Sequence, residues 1–83
     1  MNNYRINFRN VQMGNVPDVD FVEAPDPNNA LQEFVNRRRS EKWSYRDIFE
    51  RSIFMIIQEE SNKKYSMDNY NRFTKSFSPI SLS

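Results

Sequence analysis

Apolar and polar positions alternate from the start of the chain, with Tyr4, Ile6 and Phe8 separated by Arg5, Asn7 and Arg9. A period of two belongs to a strand with one buried and one polar face, and it predicts the first strand here. Gln12 to Asn15, centred on the only glycine, Gly14, predicts a turn. Val19, Phe21, Val22 and Ala24 form a second β-branched and aromatic stretch, so a hairpin is expected. Pro17 suits the start of that second strand, where a missing N–H is tolerated. Asp18 and Asp20, two residues apart, are expected to share its solvent face.

Ala24-Pro25-Asp26-Pro27 stops the strand and starts a helix: Asp26 offers an acceptor at the N-cap, and Pro27 presets φ at the first helical position. Ala30, Leu31, Phe34 and Val35 then fall on one face, with Gln32, Glu33 and Asn36 outside it. Arg37, Arg38 and Arg39 occupy the last turn, where positive charge complements the exposed carbonyls.

Ser44 to Glu60 reads two ways. Tyr45, Ile48, Phe49, Ile53, Ile56 and Ile57 fit a helical stripe that Ser44 would cap. The unbroken run Ile53-Phe54-Met55-Ile56-Ile57 instead fits a strand buried on both faces. The strand is preferred, because a hairpin and one helix need a third strand to build a covered sheet. After Glu60 the chain is polar, but Met67, Tyr70, Phe73 or Thr74, and Phe77 recur every three or four residues, with Ser66 as a cap. Ser76 to Ser83 has the composition of a loose end.

The expected fold is therefore α+β: a small sheet in ββαβ order over residues 1–62, with residues 63–83 forming a C-terminal helix or tail that packs on it. The alternative is a mainly helical protein after one N-terminal hairpin. An 83-residue chain makes one domain at most. With no Cys, the apolar core carries the stability without disulfides or thiolate metal sites. The hydrophobic fraction, 37%, is sufficient for such a core. The longest apolar run, Ile53 to Ile57, is too short to span a bilayer, so no membrane role is expected and a cytoplasmic location is.

Chemistry is thin. The chain has no His, which together with the absence of Cys removes the usual general base, metal ligand and strongest nucleophile. Asp18, Asp20, Glu23 and Asp26 are the one acidic cluster, but an EF-hand loop would need Gly where Glu23 stands and Glu where Asn29 stands. No acid is followed two residues later by Lys, as nucleases of the PD-(D/E)xK type would require. A single Gly cannot build a phosphate-binding loop. No catalytic residue, metal or cofactor is expected.

Net charge is +1, yet its distribution is uneven. Residues 16 to 36 carry acids and no base, whereas residues 37 to 51 are predominantly basic. Within that stretch Arg37, Arg38, Arg39, Lys42, Trp43, Tyr45 and Arg46 combine guanidinium forks with aromatic surfaces, the residue types that dominate interfaces. The expected function is a non-enzymatic protein-binding module, of the kind a phage or mobile element encodes as an inhibitor or accessory factor against a host protein, with these seven residues as its contacts. The alternative is a nucleic-acid binder that uses Arg37 to Arg39 and Trp43 for phosphates and stacking. The structural reading of the same residues is a helix terminus followed by an anchored loop. A homodimer through a strand edge or the stripe of the tail is also open.

Overall fold

The structure, a computed structural model, describes residues 1–71 and 73–77. Strands β1 (Asn2–Asn10) and β2 (Val16–Ala24) pair as an antiparallel hairpin in which Tyr4 faces Val22, Ile6 faces Asp20 and Phe8 faces Asp18. The turn between them is a short 3₁₀ segment, Val11–Met13. It closes through left-handed Gly14 and Asn15, at φ 81° and 65°. Helix α1 (Pro27–Ser40) follows, capped as the sequence predicts: Asn29 N donates to Asp26 Oδ1 at 2.8 Å, and Pro27 opens the first turn.

The chain then returns to the sheet as β3 (Met55–Gln58), antiparallel to β1, and turns into β4 (Lys63–Ser66), antiparallel to β3. The four-stranded order is β2-β1-β3-β4, so β1 and β3 are central. The fold is a small α+β domain, and the mainly helical alternative does not hold.

Alternation along β1 sets the layers. Tyr4, Ile6 and Phe8, with Val22 and Ala24 from β2 and Ile56 from β3, form the face that α1 covers with Ala30, Leu31, Phe34 and Val35. Aromatic edges knit this core: Phe34 lies 5.1 Å from Phe8 and 5.0 Å from Phe54 between ring centroids. The opposite face of the sheet has no helix on it among the described residues.

Asp18 and Asp20 share a face as expected, but it is the face on which the helix lies, where Asp18 stays exposed and Asp20 is half-buried. Their partners Phe8 and Ile6 point toward the helix, so they do too; Val19 and Phe21 take the outer face and are exposed. The phase of β2 is set by Val22 and Ala24, which reach the core. Asp20 is tolerated beneath the helix because two arginines meet it there.

Ser44 to Glu60 divides between its two readings. Ser44 Oγ accepts from Asp47 N at 3.1 Å and starts one helical turn, Asp47–Arg51, that ends on a wide bond from Ser52 N to Asp47 O at 2.9 Å. Ser52 is buried; its hydroxyl donates to Ile48 O, and its carbonyl accepts from Arg9 N at 2.7 Å. Ile53 then adopts φ 44°, which turns its side chain to solvent and lets Phe54 enter the core before β3 begins. The strand preferred from the sequence is present, but only from Met55.

Beyond residue 62 the described residues form no α-helix. Ser66 caps as expected, accepting from Asp68 N at 3.2 Å, but the turn it caps is a 3₁₀ segment, Met67–Asn69. A short hairpin follows, β5 (Tyr70–Asn71) with β6 (Ser76–Phe77). The competing interaction is local: Asn71 Oδ1 accepts from Phe73 N and Thr74 N at 2.8 and 3.2 Å, which closes a turn where the helix would have run. The rings of Tyr70 and Phe77 pack tilted at 59° with centroids 5.0 Å apart, and Phe77 N donates to Asn28 Oδ1 at 3.0 Å, which ties the hairpin to α1. Phe73, expected on the same stripe, is 99% exposed. Arg72 and the expected loose end past Phe77 fall outside the described residues.

A β-branched residue at positive φ is strained by about 1 kcal/mol or more, so Ile53→Asn or Ile53→Gly is expected to raise the unfolding free energy in urea by about 0.5–1 kcal/mol. A loss of stability would show that the Ile53 side chain makes a needed contact. Glu60 accepts from Asn3 N at 3.1 and 3.2 Å and from Asn3 Nδ2 at 3.1 Å; chiefly the backbone bond holds its carboxyl below the ordinary value. A lowered folded pKa stabilises above the unfolded value and is lost as pH falls through the folded one. Glu60→Gln should therefore flatten the decline in stability from about pH 5 to about pH 3. An unchanged decline would assign it to other carboxylates.

Candidate functional site

The basic stretch singled out from the sequence separates into two parts once folded. Arg37 and Arg38 turn inward to β2. Arg37 Nη1 donates to Asp20 Oδ1 at 3.1 Å and to Phe21 O at 3.0 Å, while its Nε reaches Glu33 at 3.2 Å. Arg38 is buried, at 8% exposure, with its guanidinium carbon 5.0 Å from the Phe8 ring centroid, 5.4 Å from Phe34 and 5.6 Å from Trp43. Asp20 Oδ2 at 3.6 Å and Glu41 Oε1 at 3.5 Å balance its charge. Three ring faces and two carboxylates make this burial tolerable.

Trp43 is 0% exposed, which corrects its assignment as a contact residue. Its ring packs edge-on to Phe8 at 6.1 Å and beside Arg38; no partner ring or base can reach it. Its backbone is fixed at both ends, Trp43 N donating to Arg38 O and Trp43 O accepting from Arg39 Nη1 at 2.9 Å. Arg38 is withdrawn from the surface for the same reason. Three acids of the cluster are likewise taken up, Asp20 by arginines, Asp26 by the helix start, and Asp18 by Asn10 Nδ2 and its neighbour Val19 N, while Glu23 stays exposed on β2.

The other part faces solvent. Arg39 lies with its guanidinium carbon 4.3 Å above the Tyr45 ring, and Tyr45, 59% exposed, stacks on Phe49 at 6.5 Å and 19°. Phe49 in turn lies 6.3 Å from Phe54 of the core, so one ladder of rings runs from surface to interior. The ladder exists because Tyr45 and Phe49, four residues apart, share a face of the Ser44-capped turn.

Beside the ladder runs an open groove of about 400 Å³. It is lined by the buried Leu31 and Val35 of α1, by Tyr45, Phe49 and Tyr70, and by the exposed Gln32 and Lys75. Arg46 and Glu50, an exposed ion pair at 3.1 Å, flank the far side of the Tyr45–Phe49 ridge. Among the described residues no ion pair within 4.0 Å engages Arg39, Lys42 or Lys75. The site is apolar within and basic at its edge.

Of the seven residues expected at an interface, the fold therefore brings Arg39 and Tyr45 together and leaves Lys42 and Arg46 exposed nearby in sequence. It ties Arg37 half-buried to β2 and buries Arg38 and Trp43. Phe49, Leu31, Val35, Tyr70 and Lys75 were not anticipated as a site. The i, i+4 spacing of Tyr45 and Phe49 carried a local signal, but their juxtaposition with Tyr70 depends on a hairpin that no periodicity marks. No helix among the described residues is long and apolar enough to cross a membrane. Comparison with protein-family models, with curated proteins and with solved structures found no match.

Proposed function

We propose that this protein is a non-enzymatic binding module that seats a short segment of a partner protein in the groove between α1 and the β5–β6 hairpin. The observation that carries the reading is the exposed Tyr45–Phe49 stack bordering an apolar groove, with cations at its rim. Large aromatic surface ordered in advance loses little entropy on binding, and pockets of this kind supply most of the affinity of small interfaces. The fitting segment carries an apolar or aromatic anchor for the apolar lining at Leu31 and Val35 and acidic neighbours for Arg39 and Lys75. An inhibitor or accessory factor of a phage or mobile element is a module of this type, needing one binding surface and no catalytic apparatus. The nucleic-acid alternative loses its stacking residue with Trp43 and one of its phosphate forks with Arg38.

The test is selection from a random displayed-peptide library on the immobilised protein, followed by anisotropy titration of the selected peptides. The expected motif is an anchor flanked by Asp or Glu, with affinity reduced about tenfold or more by Tyr45→Ala and weakened by Lys75→Glu. Peptides indifferent to both substitutions would overturn the site. Tight binding of single-stranded oligonucleotides that falls steeply between about 50 and 200 mM salt would overturn the partner class.

A further inference from the structure

The face of the sheet opposite α1 is patterned along the strand direction. Register places the outward side chains in four rows: Asn3 and Glu23, joined by Glu59 just past β3, whose N donates to Asn3 O at 2.9 Å; then Arg5, Phe21, Ile57 and Lys64; then Asn7, Val19, Met55 and Ser66; then Arg9 beside Pro17. The first row is acidic, the last basic, and the two between hold the apolar side chains. Phe21 and Val19 are 64% and 43% exposed, and Ile57, buried at 4%, lies on this face outside the helix-covered cluster. Arg5 Nε is held to Glu59 at 3.4 Å within the chain.

We infer that this face is the interface with a second copy of the same chain, packed sheet to sheet about a two-fold axis perpendicular to the strands. That axis, set between the second and third rows, exchanges the first row with the fourth and the second with the third. Arg9 of one copy then meets the acidic row of the other, exposed Phe21 meets exposed Val19, Met55 lies over the row of Ile57, which is already buried within its own chain, and the cations Arg5 and Lys64 meet neutral Asn7 and Ser66. A two-fold axis parallel to the strands would lay acid on acid and cation on cation. The charge pattern thus selects a single orientation, and the pattern is self-complementary as an isologous contact requires. Aligned sheet packing about 10 Å apart is the ordinary geometry for two such faces.

Edge-to-edge association is opposed by the same fold. On β2, Pro17 has no N–H to offer, Asp18 Oδ1 accepts from Val19 N at 2.8 Å, and Arg37 donates to Phe21 O at 3.0 Å, so three of the groups a new strand would pair with are withheld. The other edge, β4, is four residues long and carries Lys63 and Lys64. The face is the remaining apolar surface of the sheet. Four strands about 4.8 Å apart and rows spanning roughly 20 Å give a projected contact of roughly 400 Å² per copy, or about 800 Å² in total, about half the standard size and in the range of weak, transient contacts. The dimer is accordingly concentration-dependent.

Sedimentation velocity of the full chain from about 1 µM to about 1 mM, the range in which such an interface dissociates, tests the inference. The expected result is a shift from monomer to dimer that Phe21→Asp and, independently, Val19→Lys abolish. Arg9→Glu should weaken the dimer and Arg9→Glu with Glu23→Arg restore it, because the two residues meet only across the interface. Tyr45→Ala should leave the transition unchanged, which separates this surface from the groove. Monomer at every concentration, a dimer indifferent to Phe21→Asp and Val19→Lys, or a charge exchange that fails to restore association would overturn it.

Discussion

A guanidinium enclosed by three aromatic rings governs how helix and sheet meet in this protein. Arg38 sits among Phe8, Phe34 and Trp43 and reaches Asp20 on β2, so one side chain links the end of α1, the loop after it and the edge strand. Its long stem adds apolar contact along the way. A buried charge of this kind is costly to strand and specific in what it accepts: removing a partner leaves the other ion desolvated, while a shifted helix would part the guanidinium from Asp20. Asp20 points into the helix-covered layer because Arg37 and Arg38 wait there, and Trp43 is buried because its ring completes the enclosure.

Much of the remaining surface follows from that commitment. With two arginines and the tryptophan drawn inward, the outward chemistry of the segment passes to Arg39, Tyr45 and Phe49, which border the groove. Arg37, in reaching Asp20, also occupies the carbonyl of Phe21 and so helps to seal the β2 edge. The same contact that docks the helix thereby takes up a hydrogen-bonding group of the sheet's edge. One cluster of basic residues is thus divided between core and surface by which side of the helix end each projects from.

The sequence carried the local half of this arrangement. Alternation at Tyr4, Ile6 and Phe8 and the Asp26-Pro27 helix start are interactions within a few residues, and both are found in the fold. The phase of β2 was not legible, because apolar residues occupy both parities: Val19 and Phe21 on one, Val22 and Ala24 on the other. Choosing between them requires knowing that arginines 17 and 18 residues away neutralise Asp20. The same holds for Trp43, whose neighbours in sequence look like a binding patch and whose neighbours in space are a core. The C-terminal stripe misled for a local reason, the Asn71 turn, which competes with helix more strongly than spacing alone suggests.

The most direct test of the account is a double-mutant cycle on Asp20→Ala and Arg38→Ala, read as unfolding free energy in urea with Arg37 intact. The enclosed pair should show a coupling of about 1–3 kcal/mol, well above the few tenths expected of an exposed pair such as Arg46 with Glu50. A coupling near zero would mean that helix and sheet are held by their apolar contacts alone, and that the burial of Arg38 follows from the fold without determining it.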